Sequence, residues 1–251
     1  MRFNNKVALV TGGASGIGLA TAQRLSKDGA TVYIGDLNDE EGQRVAQQIN
    51  GSFVRLDVSQ EQSWKEAISA IKEKSGRLDM LVNNAGIAGA GTLEEETVEQ
   101  FNRVLQINLV GVFLGCQAAV PLMAENSGGA IVNVSSIFGL VSDQLTIAYS
   151  ASKGGVCAMT KAIALDCASR GTGVRVNSIH PGFVATPMVA NAVNSIPPDV
   201  AEAYGARTVG QTPLGMAEPQ DIADVIAFML SDDARYMTGS EVVADGGFTA
   251  R

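Results

Sequence analysis

Runs of apolar, mostly β-branched residues alternate with longer stretches of helical periodicity along the whole chain of 251 residues. Seven of these runs predict strands, and most are apolar at consecutive positions, which is typical of strands that are buried on both faces. They cover residues 7–10, 31–34, 53–56, 80–82, 131–134, 174–179 and 241–244. Right-handed crossovers through the intervening helices then give an α/β fold, with a doubly wound, parallel, seven-stranded sheet and helices on both faces.

The stretches between the runs predict helices near residues 16–28, 39–50, 60–75, 97–125, 148–170 and 219–230. Thr97 and Gln100 fit a capping box, and Pro219 suits the first turn of the last helix. No linker or repeat is present, so residues 1–251 are expected to form a single domain. The one irregular segment, about 186–215, carries several prolines. We interpret it either as a flap that covers a substrate or as a variable surface insertion.

Composition and charge exclude several classes of partner. Hydrophobic residues make up 46% of the chain, and the formal net charge is −8 without a basic run, so nucleic acid is not expected as a partner. No apolar run approaches the roughly 18 residues of a membrane span, and the N-terminus lacks the long apolar core of a signal peptide. We therefore expect a cytoplasmic protein without a membrane partner.

Cysteine and histidine usage narrows the possible chemistry. Cys116, Cys157 and Cys167 are widely spaced in apolar helical sequence and predict buried free thiols rather than disulfides or a metal site. His180 is the only histidine, so a zinc site of the common His/Cys type and a Ser-His-Asp triad both lack parts. An enzyme with this sequence would use a tuned tyrosine, lysine or carboxylate for proton transfer.

Tyr149 and Lys153 lie four residues apart at the start of a predicted helix, which places both side chains on one helix face. A tyrosine normally holds its proton to a pKa of about 10. The neighbouring ammonium group is expected to lower that pKa, which makes the phenol a useful acid and base for an alcohol or carbonyl oxygen. Because this spacing also arises by chance, other residues must support the interpretation.

A glycine-rich sequence, residues 11–18, follows the first strand and leads into a helix. Gly12, Gly16 and Gly18 would allow a tight turn through which the backbone approaches a pyrophosphate at the helix N-terminus. Glycines at a strand-to-helix turn also serve packing alone, so this motif by itself is weak. Its position between a buried strand and a helix favours a dinucleotide-binding loop.

The ends of the next two strands carry carboxylates. Asp36 ends the second strand, where an acidic side chain binds ribose hydroxyls and repels a 2′-phosphate. Neither Leu37 nor the loop residues 13–15 offer a cation, so the sequence favours NAD over NADP. Asp57, after the third strand, either reaches the adenine or caps the helix that follows Ser59.

Further polar residues follow strands at the sheet edge where such folds bind ligands. Asn84-Ala85-Gly86 after the fourth strand suits either a small-residue wall beside a flat cofactor or an ordinary turn. Asn108 lies on an apolar helix stripe, so its amide should be buried, either to tie strands together or to anchor a water in a proton path. Ser136, after the fifth strand, either hydrogen-bonds a substrate oxygen beside Tyr149 or caps the strand end.

Together, the glycine loop, Asn-Asn-Ala-Gly, Asn108, Ser136 and Tyr149-x-x-x-Lys153 resemble the short-chain dehydrogenase/reductase family over essentially the whole chain. The resemblance implies a Rossmann-type fold, a homotetramer, and a catalytic tetrad of Asn108, Ser136, Tyr149 and Lys153. It also implies NAD contacts from Gly12, Ser15, Gly16, Ile17, Gly18, Asp36, Leu37, Asp57, Val58, Asn84, Ala85, Gly86, Tyr149, Lys153, Pro181, Gly182, Val184 and Thr186.

The predicted substrate pocket is built from the 186–215 segment and residues 137–145, which are both largely apolar. No arginine is placed to bind a carboxylate, and Arg207 is the nearest. We therefore expect interconversion of a neutral secondary alcohol and its ketone, with a cyclic, aryl or steroid-like substrate. Two alternatives stay open: a 3-oxoacyl reductase acting on carrier-protein or CoA substrates, and a non-catalytic NAD-binding regulator or scaffold.

Overall fold

A computed structural model describes residues 1–89, 91–194 and 196–250 of the chain. Within these residues, seven strands form one parallel sheet in the order β3-β2-β1-β4-β5-β6-β7. The strands are β1 (Val7–Thr11), β2 (Thr31–Asp36), β3 (Ser52–Arg55), β4 (Met80–Asn83), β5 (Gly129–Val134), β6 (Val174–Pro181) and β7 (Glu241–Ala244). The predicted doubly wound α/β fold is thereby confirmed.

Helices cover both faces of the sheet. They are α1 (Gly16–Lys27), α2 (Asp39–Gln48), α3 (Glu61–Ser75), α4 (Val98–Leu105), α5 (Gly111–Glu125), α6 (Ile147–Ser169), α7 (Pro187–Asn194), α8 (Pro198–Arg207) and α9 (Pro219–Leu230). Buried residues of α3, α5 and α6 pack on one face, and those of α1, α2 and α9 pack on the other. The strand order reverses between β1 and β4, which opens a crevice at the carboxyl ends of these strands.

The helix predicted over 97–125 forms, but its hydrogen-bond pattern changes in the middle. A π-helical turn, Gln106–Val110, separates α4 from α5, and Asn108 is its buried residue. Thr97 does form the predicted capping box with Gln100. Helical periodicity did not predict the π turn, because one extra residue per turn hardly changes the pattern of apolar positions over such a short stretch.

The irregular segment 186–215 contains two exposed helices, α7 and α8, with Ser195 outside the described residues. Pro187 and Pro198 occupy their first turns, where the missing N–H is no loss. Neither helix buries a side chain fully among its described residues, in keeping with the prediction that no core helix forms here.

The continuous helical stretch Val98–Glu125 is long and apolar enough to cross a membrane by length and composition. The prediction that no apolar run approaches this length was therefore wrong. Half of its most apolar 18-residue portion is buried inside the protein, where α5 packs on α3 and on the sheet. The three cysteines are buried and free, as predicted.

Candidate functional site

The glycine-rich turn between β1 and α1 forms a cradle that larger residues would fill. Gly12 and Gly16 have φ angles of +61° and +52°, in the left-handed region that favours glycine. A Cβ on Gly18 would lie 2.1 Å from the carbonyl oxygen of Gly12. Ser15 precedes α1 without a side-chain cap, so the first-turn N–H groups, those of Ile17 and its neighbours, are free to bind an anion. These features fit the pyrophosphate of a dinucleotide.

Asp36 lies at the carboxyl end of β2 and contacts this loop directly. Its carboxylate accepts hydrogen bonds from the backbone N–H of Ala14 at 3.0 Å and of Asn38 at 3.0 Å. Leu37 is 54% exposed. Arg55, which pairs with Asp36 in the sheet register, donates to the Leu37 carbonyl and to Asp39 at 2.5 Å. The guanidinium of Arg55, which contacts Leu37, is thus already bound to a carboxylate.

Asp57 and Val58 follow β3. The Asp57 carboxylate accepts from both the N–H and the hydroxyl of Ser59, which forms a turn before α3 rather than a cap on its first residue. Val58 is buried, and its carbonyl accepts from the indole of Trp64 at 3.0 Å. These bonds fix the end of β3 at the same sheet edge as Asp36.

The turn after β4 packs against the glycine loop. Asn84 donates from its amide to the Thr11 carbonyl at 2.9 Å, and a Cβ on Gly12 would lie 3.0 Å from the Cα of Ala85. The Thr11 hydroxyl accepts from the N–H of both Asn84 and Ala85. Thr11 was not among the predicted site residues, although its position directly before the first glycine is a signal for it.

Asn108 is fully buried and binds the backbone of Ile87 on both sides. Its Oδ1 accepts from the Ile87 N–H at 2.8 Å, and its Nδ2 donates to the Ile87 carbonyl at 2.9 Å. A Cβ on Gly86 would lie 3.1 Å from Asn108 Oδ1 and 3.8 Å from Lys153 Nζ. The amide therefore ties the β4 turn to the π-helical turn beside the lysine.

Lys153 is buried on α6, with 4% of its surface exposed. Its ammonium group donates to the Val134 carbonyl at 2.8 Å and lies 5.5 Å from the ring centroid of Tyr149. Burial lowers the pKa of the lysine to about 8. A cation held this close to its neutral form exchanges protons readily near physiological pH.

Tyr149 and Ser136 meet at the carboxyl end of β5. Burial raises the pKa of the Tyr149 phenol above its ordinary value, and a hydrogen bond with the Ser136 side chain opposes that rise. The expectation that Lys153 lowers this pKa is not met, because desolvation of the phenol is the largest cause and the ammonium group faces the Val134 carbonyl instead. Ser136 Oγ also accepts from the Phe138 N–H at 3.1 Å.

The segment after β6 reaches back over the glycine loop. Gly182 donates to the Ala244 carbonyl at 3.0 Å, and buried Val184 pairs with Ala217. A Cβ on Gly16 would lie 3.2 Å from Thr186 Cγ2. The structure thus brings the segment from Pro181 to Thr186, the glycine loop and the Tyr149 region around one crevice.

An apolar cavity of about 120 Å³ opens beside Ser136 and Tyr149. Residues from the loop after β5 and from α7 and α8 line it, among them Phe138, Leu145, Met188, Val189 and Tyr204. Arg207 does not face it freely, because its guanidinium binds both carboxylate oxygens of Asp143, at 2.9 and 3.1 Å. Among the described residues that line this cavity, none carries a formal charge.

His180 is fully buried behind Ser136. From the sequence, no catalytic role was predicted for this histidine. Its Nδ1 lies 3.0 Å from the Ser136 carbonyl, and its Nε2 lies 2.9 Å from the Ser178 hydroxyl. Since a carbonyl only accepts, Nδ1 carries the proton and Nε2 accepts from Ser178. Burial lowers the pKa of the imidazole, which is therefore a neutral support for the Ser136 backbone.

Comparison with known proteins agrees with this geometry. The family model described as enoyl-(acyl carrier protein) reductase matches residues 12–249. Cyclopentanol dehydrogenase of Comamonas sp. is 43% identical over 99% of both chains, and NADP-dependent (R)-specific alcohol dehydrogenase of Lentilactobacillus kefiri is 40% identical over 100% of this chain and 99% of the relative. The crystal structure of levodione reductase superposes with a TM-score of 0.93 at 34% identity, covering 99% of both chains. The chain therefore belongs to the short-chain dehydrogenase/reductase family, as an alcohol–ketone oxidoreductase that works with a nicotinamide cofactor.

Proposed function

We propose that this protein is an NAD-dependent dehydrogenase for a neutral, single-ring secondary alcohol and its ketone, and that it works in the cytoplasm as a homotetramer. The observation that carries the proposal is the small, uncharged, apolar cavity with the hydrogen-bonded Ser136–Tyr149 pair on its wall. A neutral substrate with one reacting oxygen matches that lining. The family resemblance supports the assembly and the compartment.

Tyr149 acts as the acid and base at the substrate oxygen. The bound nicotinamide supplies the chemistry of the carbon centre, by accepting or donating a hydride. In oxidation Tyr149 takes the hydroxyl proton of the alcohol as a phenolate, after its own proton has passed to Lys153; in reduction the phenol gives its proton to the ketone oxygen. Ser136 donates a hydrogen bond that orients the same oxygen. Lys153, with its pKa near 8, replenishes the phenol proton and holds the nicotinamide ribose. Asn108 fixes the turn beside Lys153.

The proposed preference for NAD rests on the residues around Asp36. Its carboxylate is held toward the glycine loop by Ala14 and would repel a 2′-phosphate. Arg55 is bound to Asp39, so no free cation of the described residues near Asp36 offsets that repulsion. The NADP-dependent relative shows that this family scaffold also serves the other cofactor, so the proposal rests on these side chains and not on the fold.

The cavity volume favours one ring over a steroid. A cavity of about 150 Å³ lined by apolar side chains suffices for benzene. The 120 Å³ beside Tyr149 is of the same order, which matches a five- or six-membered ring far better than four fused rings unless α7 and α8 move. The role of residues 186–215 as the cover of the substrate is part of this proposal.

The test is a panel of cyclopentanol, cyclohexanol, 1-phenylethanol and a hydroxysteroid, with NAD and with NADP, followed by absorbance of the reduced cofactor. We expect NAD-dependent oxidation of the single-ring alcohols and loss of nearly all turnover in Tyr149→Phe with NADH binding close to normal. A Tyr149→Phe enzyme that keeps a tenth of the wild-type rate would contradict the role of Tyr149. A preference for NADP would contradict the role of Asp36.

The same panel tests the two alternatives. A 3-oxoacyl reductase would need a cation at the pocket mouth for a carrier or CoA phosphate, and Arg207 is bound to Asp143 instead. Acetoacetyl-CoA should therefore be a poor substrate. A non-catalytic regulator would bind NADH but stay silent with every alcohol and ketone, which is the outcome that would replace the enzymatic proposal.

A further inference from the structure

Tyr204 is one of the few lining residues with a polar side-chain group in a cavity that is otherwise almost entirely apolar. It extends from α8 and lines the cavity together with Ser136 and Tyr149. Thr146 also lines the cavity, but its hydroxyl donates to the Asp143 carbonyl at 3.0 Å and contacts Ser150. Within residues 1–89, 91–194 and 196–250, no protein atom hydrogen-bonds the Tyr204 hydroxyl.

The ring of Tyr204 is held in place from behind. The Arg207 guanidinium lies 5.3 Å from its ring centroid, and Asp143 fixes that guanidinium through two hydrogen bonds. Asp143 in turn accepts from the Leu145 N–H at 3.0 Å, so the stack joins α8 to the loop after β5. The ring also packs on the aromatic cluster of Phe138 and Phe183. The Tyr204 side chain therefore loses little conformational entropy when a ligand binds to it.

A positioned hydroxyl without a protein partner disfavours a plain hydrocarbon ring in this cavity. Such a ring would strip water from the phenol and offer no hydrogen bond in return, which costs about 1–3 kcal/mol. A hydroxyl or carbonyl oxygen attached to the ring avoids that cost, because it takes the place of the water as hydrogen-bond partner of the phenol. Either group fits, since a phenol both donates and accepts. Sites built around a hydrogen bond discriminate strongly against analogues that lack the matching group.

We propose that Tyr204 is a specificity-determining residue whose hydroxyl binds a second oxygen of the substrate, on a ring carbon away from the reacting one. This inference rests on the proposed ring-alcohol function and narrows its substrate class to ring diols, hydroxyketones and diones. Burial raises the pKa of Tyr204 to about 12, with the Asp143 carboxylate adding to the rise, so the phenol stays protonated at neutral pH.

The experiment compares 3- and 4-hydroxycyclohexanone with 3- and 4-methylcyclohexanone, which match them in shape, in NADH-dependent reduction. For wild type, we expect kcat/KM for at least one hydroxyketone to exceed that of its methyl partner about 10-fold, the worth of one hydrogen bond of about 1.4 kcal/mol. In Tyr204→Phe this ratio should fall to about 1, because the hydroxyketone loses its hydrogen bond and the methyl ketone no longer strips water from a phenol. Reduction of the methyl ketone should therefore be retained or rise, by up to about 10-fold.

Tyr236→Phe is the matched control, because Tyr236 is fully exposed and the same atom is removed. It should keep the wild-type ratio. A ratio that is equally high in Tyr204→Phe, or near 1 in wild type, would overturn this inference while the ring-ketone function stands. Failure of wild type to reduce any of the four ketones would overturn the proposed function and this inference with it. Retained turnover of the methyl ketone by Tyr204→Phe shows that the variant is folded.

Discussion

The ammonium group of Lys153 lies in the protein interior without a carboxylate partner among the described residues, and only the Val134 carbonyl accepts from it. Burial of such a charge opposes folding, and the lowering of its pKa to about 8 reports that opposition. The active site therefore destabilises the ligand-free fold at this residue, as is common where function requires a strained site.

We expect Lys153→Met to abolish turnover and to stabilise the ligand-free protein by about 1–3 kcal/mol at pH 7, since each pKa unit corresponds to about 1.4 kcal/mol. Urea unfolding of both proteins measures the difference. Lys161→Met is the control, because that lysine is exposed and paired with Glu241. A Lys153→Met protein that is less stable than wild type would show that the lysine stabilises the fold.

His180 makes the stability of the protein depend on pH. Its folded-state pKa lies below the unfolded value of about 6.5, so the unfolded chain binds more protons as the pH falls through that value. Stability is then complete above about pH 6.5 and declines below it, by at most about 1.4 kcal/mol per pH unit. Glu241 opposes this shift, and Lys153 and Lys161 add to it.

Denaturant unfolding from pH 5 to 7.5 checks this decline, and His180→Gln should flatten it. The carboxylate of Asp79, with a lowered pKa, contributes only at more acidic pH and stays common to both proteins. An identical slope in wild type and His180→Gln would refute the assignment to the imidazole.

At the scale of elements, the π-helical turn Gln106–Val110 is what directs Asn108 to the backbone of Ile87. Asn108→Asp keeps the acceptor for the Ile87 N–H and replaces the donor with a second acceptor that faces the Ile87 carbonyl. We expect a loss of about 1–3 kcal/mol of stability and a drop in kcat of at least 10-fold, with a smaller change in KM for NADH.

Thermal unfolding and steady-state kinetics measure these effects. Asn102→Asp, on α4 of the same helical stretch, is the control for added charge. If Asn108→Asp behaved like Asn102→Asp, the amide donor would have no role in holding the turn beside Lys153.

The strands were predictable because consecutive apolar residues such as those of 7–10 have few alternatives to a doubly covered strand. That Asn108, Ser136, Tyr149 and Lys153 belong to one site could be expected only from the family resemblance, and their neighbouring positions agree with it, while their catalytic roles stay a prediction. The Ile87 backbone was not predictable, because every residue carries the same N–H and C=O. Tyr204 was missed for another reason: it lies in the proline-interrupted segment, and only the tertiary fold brings it across from Tyr149.

At the scale of the whole molecule, the crevice joins both halves of the sheet, so cofactor binding should stabilise the entire fold. NAD at 100 times its Kd adds about 2.7 kcal/mol. For a chain of this length that corresponds to a rise in Tm of roughly 5–10 °C. If Asp36 repels the 2′-phosphate as proposed, NADP at the same concentration should give a clearly smaller rise.

Differential scanning fluorimetry with NAD, NADP and AMP checks this coupling. AMP lacks the nicotinamide half and should give a partial rise only. Equal shifts with NAD and NADP would contradict the cofactor preference without bearing on the alcohol chemistry.

The two hydrogen bonds that the Asp36 carboxylate accepts, from the N–H groups of Ala14 and Asn38, have a consequence for cofactor engineering. Exchanging Asp36 for a small apolar residue to admit a 2′-phosphate would also leave the Ala14 N–H without its partner and loosen the loop that both cofactors need. A redesign toward NADP should therefore keep an acceptor and add charge elsewhere, as in Asp36→Asn with Leu37→Arg at the exposed neighbour. Loop integrity and phosphate tolerance are coupled at one side chain, and a single substitution cannot change them separately.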